Sequence, residues 1–73
     1  MNIYRAIIEE EINRTLGMIR TEIRAEVIAG DDVLTVVVKH ADGYEITTLQ
    51  YRDSNVSSIV FDIIEEVNAV FIN

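Results

Sequence analysis

The sequence predicts an α+β domain of order α-β-β-β-α: a three-stranded antiparallel meander sheet with two helices packed on one face. Three observations predict it. Apolar residues recur at helical spacing near both ends of the chain. The stretch between them alternates apolar with polar residues or runs in β-branched ones. The breaks within that stretch, at Gly30 and Gly43, are short enough to serve as hairpin turns. A chain of 73 residues makes one domain, residues 1–73.

The first helix is read from Ile3, Tyr4, Ile7, Ile8, Ile12 and Leu16, with Glu9, Glu10, Asn13 and Arg14 on the other side. Glu10 and Arg14 form an i,i+4 pair of favourable orientation. Gly17 follows where a C′ glycine stops a helix, so the helix is expected over residues 2–16. Continuing it would set Arg20 against Arg24 and Glu22 against Glu26. As a strand, the same residues place Ile19, Thr21, Ile23, Ala25 and Val27 on one face and charges of alternating sign on the other. Residues 18–29 are therefore expected as the first strand. Gly30 and Asp31 make a tight turn into a β-branched strand over residues 33–40. Ala41, Asp42 and Gly43 fit a three-residue loop with glycine at the left-handed position, and residues 44–51 form the third strand. Asp53 or Ser54 caps a last helix whose stripe is Val56, Ile59, Val60, Ile63, Ile64, Val67, Val70 and Phe71.

Turn lengths set register. A turn at Gly30 and Asp31 puts Val27 opposite Leu34, Ala25 opposite Val36 and Ile23 opposite Val38. The second loop puts Val38 opposite Ile46 and His40 opposite Tyr44. One face then holds Ile23, Ala25, Val27, Leu34, Val36, Val38, Tyr44 and Ile46, and belongs under the helices. The other face carries a charged row, Glu22, Lys39 and Glu45. Beyond it lies an apolar group, Ile28, Val33, Val37, Leu49 and Tyr51. This group is either an interface or the scattered surface apolars ordinary in strands, unless one helix crosses over to cover it. Phe61 and Ile72 lie off the stripe of the last helix, as the edge of the core or as a second contact patch.

Thirteen acidic residues against six basic ones give a net charge of −7, with Lys39 the one lysine. A nucleic-acid binder shows the opposite balance. The acidity serves either solubility or attraction of a basic partner. The opening MNIYRAIIEEE lacks the layout of a signal peptide, and no apolar run is long enough for a membrane span. A soluble, cytoplasmic protein is expected, consistent with the absence of cysteine.

Catalysis has little to work with. His40 is the one histidine, there is no cysteine, and Ser54, Ser57 and Ser58 cluster where capping explains them. The runs Glu9 to Glu11, Asp31 with Asp32, and Glu65 with Glu66 do not show the spacing of a metal loop. The expectation is a protein that is not an enzyme, with no catalytic residues, cofactor or metal.

The element order resembles the double-stranded-RNA-binding domain. That family implies RNA contact through the first helix and a lysine-rich start of the last helix. Here the corresponding run is Asp53, Ser54, Asn55, Val56, Ser57 and Ser58, without a lysine, so direct nucleic-acid binding is not carried over. Size, acidity and the same order are also similar to small phage-encoded anti-CRISPR proteins, some of which present carboxylates where a nuclease would hold DNA. That resemblance implies a non-enzymatic inhibitor acting as a nucleic-acid mimic in the host cytoplasm, with a basic, nucleic-acid-binding protein as partner. Candidate contacts are Glu9, Glu10, Asp31, Asp32, Asp42, Asp62, Glu65 and Glu66. The alternative is a homodimeric adaptor or assembly module, associating through the exposed sheet face at Ile28, Val33, Val37, Leu49 and Tyr51, with Phe61 a further apolar interface candidate.

Overall fold

A computed structural model describes residues 3–52 and 54–72, and the side chains of residues 4–52 and 54–70. The order is α1 (Ile3–Ile19), β1 (Ile23–Ala29), β2 (Leu34–His40), β3 (Glu45–Tyr51) and α2 (Val56–Ile72). The strands form one antiparallel sheet in the order β1-β2-β3. Both helices pack on the same face. Ile8, Ile12 and Leu16 of α1 and Ile59, Ile63 and Val67 of α2 are buried with Ile23, Ala25, Val27, Val36 and Val38 of the sheet. Each helix contributes residues four apart, the row that aligns along one side of an α-helix.

The first helix does not stop at Gly17. It continues through Met18 to Ile19 and closes with the Arg20 N–H donating to the Leu16 carbonyl at 2.7 Å. Gly43 is the glycine with a left-handed φ, so Gly17 stays in the helix and forgoes the capping geometry. A turn follows, with the Ile23 N–H on the Arg20 carbonyl, and the strand begins at Ile23. The turn still separates Arg20 from Arg24 and Glu22 from Glu26, so the like-charge stack that a longer helix imposes is avoided.

The first hairpin turns on Asp31 and Asp32, one position later than the sequence suggests. Gly30 donates to the Val33 carbonyl at 2.8 Å. The register becomes Ile23 opposite His40, Ala25 opposite Val38 and Val27 opposite Val36. The slip is two residues, so every side chain keeps its face. The charged row is accordingly Arg24, Lys39 and Glu45 in place of one beginning at Glu22, and Lys39 reaches diagonally to Glu26 at 3.5 Å.

The second hairpin has the expected loop. Gly43 adopts φ of 99°, its N–H bonds to the His40 carbonyl, and His40 N–H bonds to the Tyr44 carbonyl. Just beyond it, β3 carries one extra residue. Lys39 faces Glu45, whereas Val38 faces Thr47, so Ile46 is the inserted position of a β-bulge. The bulge reverses the parity of everything after it. Leu49 then faces Val36 and Tyr51 faces Leu34, and both pack against the core beneath the helices. Tyr44, expected there, is 55% exposed and stacks on His40 instead, ring centres 4.9 Å apart.

The last helix is capped by Asn55 rather than Ser54: its side-chain oxygen accepts the Ser58 N–H at 2.8 Å. Asp53, the other expected cap, lies outside the described residues. On α1, Arg14 pairs with Glu11, three residues away, and not with Glu10.

The outer edge of β1 is closed by side chains of α1. Asn13 donates to the Ala25 carbonyl at 2.9 Å and accepts the Ala25 N–H at 2.7 Å, as a neighbouring strand would. One turn earlier, Glu9 accepts the Val27 N–H at 2.9 Å, and Arg5 donates to the Val27 carbonyl at 2.9 Å. Arg5 and Glu9 also pair with each other at 3.1 Å. The helix therefore runs antiparallel to β1 and satisfies its free backbone groups, which otherwise invite pairing with another chain.

Candidate interaction surfaces

The eight acidic candidates do not form one patch. Asp31 and Asp32 lie at the turn between β1 and β2, and Asp42 at the turn between β2 and β3. They are opposite ends of a seven-residue strand, about 23 Å apart at 3.3 Å per residue. Asp32 pairs with Arg52 at 3.4 Å across two highly exposed side chains, and Asp42 lies 3.5 Å from His40. Glu9 is committed to the edge of β1. Glu10 is exposed on α1. Asp62, Glu65 and Glu66 share α2.

Tyr51 of β3 donates its hydroxyl to Asp62 at 2.7 Å. Burial, the hydrogen bond to Asp62, and the negative charges of Asp62 and Glu66 together push the Tyr51 phenol well above its ordinary value of 10.0. The protonated phenol is the form the fold favours. Its contribution is therefore fully present below the ordinary phenol range and is lost as pH rises through the raised value. Stability is expected to fall above about pH 10, and to fall less steeply in Tyr51→Phe. At neutral pH, Tyr51→Phe should cost about 1 kcal/mol for the lost hydrogen bond. Urea unfolding of both proteins at neutral and alkaline pH checks both statements.

Basic residues are distributed unevenly. Arg5, Arg14, Arg20, Arg24 and Lys39 belong to α1, the turn after it, β1 and β2. From Glu45 to the end of the chain, Arg52 is the one basic residue, against Glu45, Asp53, Asp62, Glu65 and Glu66. Arg52 reaches Asp32 at the turn between β1 and β2, which adjoins the end of β3. The side of the molecule built by β3 and α2 thus carries carboxylates with no basic side chain of those elements to balance them. The sequence lists these residues, but only the fold brings the two elements together.

The apolar candidates separate. Ile28, 51% exposed, and Val37 remain on the open face. Ile28 faces Thr35, which in turn faces Gln50, and Val37 lies between Glu26 and Thr48, so the face is mixed and polar. Leu49 and Tyr51 lie on the opposite face, under the helices. Val33 precedes β2 at the turn and lines a shallow cavity of about 280 Å³ with Tyr4, Asp31 and Ile59. Phe61, 66% exposed, forms part of a groove of about 410 Å³ between the helices with Val56, Val60, Ile64 and Thr15. Among the described residues, no three His, Asp or Glu side chains converge as a metal site does, and no helix is long and apolar enough to cross a membrane. No family model, curated protein or solved structure matches the chain.

Proposed function

We propose that this is a non-enzymatic, acidic interaction protein. It binds and blocks a basic, nucleic-acid-handling protein complex, and its most concrete version is a phage-encoded inhibitor of a host defence nuclease, acting in the host cytoplasm. The observation that carries this reading is α2, where Asp62, Glu65 and Glu66 are presented without a basic residue from that helix or from β3, while Glu45 of β3 faces Lys39. Nucleic-acid-handling proteins offer positive grooves. A small rigid domain with its carboxylates weighted to one side is steered into them and oriented by the field it meets. The cations on the α1 and β1 side favour that one orientation.

The test is capture from a bacterial lysate containing defence systems, followed by affinity measurement on the recovered protein. Glu65→Lys with Glu66→Lys is expected to weaken binding by about tenfold or more, equivalent to about 1.4 kcal/mol. Raising salt well above about 0.15 M should weaken it further, because exposed charges are then screened. Glu10→Lys, on the α1 side beside Arg14 and Arg24, should have the smaller effect. Binding insensitive to both salt and charge reversal rules the reading out.

The alternative, a homodimeric module joined through the open sheet face, has Ile28 and Val37 as its remaining strand residues there. Sedimentation across micromolar concentrations separates the two. A monomer excludes the dimeric module, and a dimer converted to monomer by Val37→Arg supports it.

A further inference from the structure

The two edges of the sheet differ. The β1 edge is closed by Arg5, Glu9 and Asn13. The β3 edge is not. His40 donates toward Tyr44, and bonding direction alternates along a strand, so Val38, Val36 and Leu34 direct their backbone groups to β3. Their partners Thr47, Leu49 and Tyr51 are used within the sheet. Thr48 and Gln50 direct N–H and C=O outward. Both residues are exposed, and among the described residues no side chain or other element hydrogen-bonds to those groups. No proline lies in the chain, and β3 has no lysine to discourage pairing.

Carboxylates flank this edge on both sides. On the helix side, Asp62 lies 2.7 Å from the Tyr51 hydroxyl, with Glu66 one turn further along the same helix face. On the open side, Glu45 accepts the Thr48 hydroxyl at 2.7 Å, with Lys39 opposite it on the inner side and the edge side free of cations of β3. This charge decides between occupants. A second copy paired across a two-fold axis would bring its own Asp62 and Glu66 toward the first pair, at a net charge of −7 on each chain. A basic strand meets the opposite situation.

We propose that the β3 edge, at Thr48 and Gln50, takes up an extended, basic segment of a partner protein as a fourth strand, with Lys or Arg side chains reaching Asp62 and Glu66 on one side and Glu45 on the other. Main-chain hydrogen bonds hold the segment and the flanking carboxylates select its charge. The inference rests on the reading of the protein as a binder of basic partners, and adds the place and the mode.

The probe is a synthetic peptide of alternating lysine and valine with blocked ends, titrated at low salt into isotope-labelled protein and followed by NMR. The amides of Thr48 and Gln50 are expected to shift most and to exchange more slowly when the peptide is bound. Thr48→Pro removes an outward N–H that the sheet does not use, as edge strands tolerate. It should lower affinity by about tenfold or more while leaving the circular dichroism unchanged. Gln50→Pro serves the same purpose if Thr48→Pro fails to fold. Glu66→Gln should weaken binding several-fold, and a control peptide of alternating glutamate and valine should not bind. Equal binding of the lysine peptide by the proline variants, with shifts on α1 or β1 instead, overturns the edge assignment but leaves the basic-partner reading standing. No binding of the lysine peptide overturns both. Self-association through Thr48 makes a second copy the occupant and overturns the proposal.

Discussion

Ile63→Ala will leave little folded protein at physiological temperature. Ile63 is wholly buried, as are Ile59 and Val67 on either side of it along α2. Removing three buried carbons forfeits their transfer free energy and leaves a cavity that the neighbours only partly fill. The cost is about 2–5 kcal/mol. A single core of this size supplies only about 3–5 kcal/mol in total, and no cysteine is present to add a disulfide. The variant therefore spends most of the stability available. Ile64, adjacent in sequence, packs at the rim of the core beside the helical groove. Ile64→Ala should cost less than half as much, because part of its surface already meets water. Ile63→Val, which removes one methylene and keeps the shape, should cost about 0.5–1.5 kcal/mol. Urea unfolding followed by circular dichroism orders the three variants. A midpoint for Ile64→Ala below that of Ile63→Ala contradicts the placement of the α2 stripe.

The contrast between these neighbours shows what the sequence makes legible. The helical stripe of α2 contains Ile59, Ile63 and Val67 without ambiguity, since a period of 3.6 residues leaves one direction for the centre of the face. The alternation through Ile23, Ala25 and Val27 is equally secure, and it survives a two-residue slip of the hairpin because the period of a strand is two. An odd insertion defeats it. Ile46 adds one residue to β3, and Leu49 and Tyr51 pass from the open face to the helix side. A signal for this exists: the apolar residues of β3 are Ile46, Leu49 and Tyr51, spaced by three and then two, where an unbroken strand keeps to two. An exposed apolar face read from an uninterrupted alternation dissolves once that spacing is respected.

The acidic candidates were legible as residues and not as a surface. Charge counting cannot separate Glu9, which serves a strand edge, from Glu10, which faces solvent one residue later. The separating fact is tertiary, the approach of α1 to β1. Even so, a trace of it is written in the helix. Arg5, Glu9 and Asn13 are four apart and run beside the buried row of Ile8, Ile12 and Leu16. A polar row bordering a core row is positioned to reach across the rim of a sheet, where a backbone edge waits for donors and acceptors.

Asn13→Ala should test that row directly. Its amide supplies both a donor and an acceptor to Ala25, and alanine leaves the Ala25 N–H and C=O without a protein partner. The loss of two hydrogen bonds at a half-buried site is expected to cost about 2–3 kcal/mol, second only to the core truncation. Asn13→Asp discriminates between shape and chemistry. It keeps an acceptor for the Ala25 N–H but sets a carboxylate against the Ala25 carbonyl, so it should recover little of the loss. Amide exchange gives the local readout: Ala25 and Val27 should be protected in the parent, and Ala25 should exchange much faster in Asn13→Ala, while Val27, held by Glu9, changes less. Unchanged protection at Ala25 would falsify the view that α1 closes this edge. The consequence for association follows from the same geometry. With Asn13 removed, β1 presents free backbone groups beside Ala25, and the chain gains a second open edge to add to β3. Such a chain can propagate pairing in two directions, so Asn13→Ala should aggregate with rising concentration where the parent does not. Thr48→Pro placed in the Asn13→Ala background should suppress that aggregation by closing the opposite edge, leaving the stability loss unchanged.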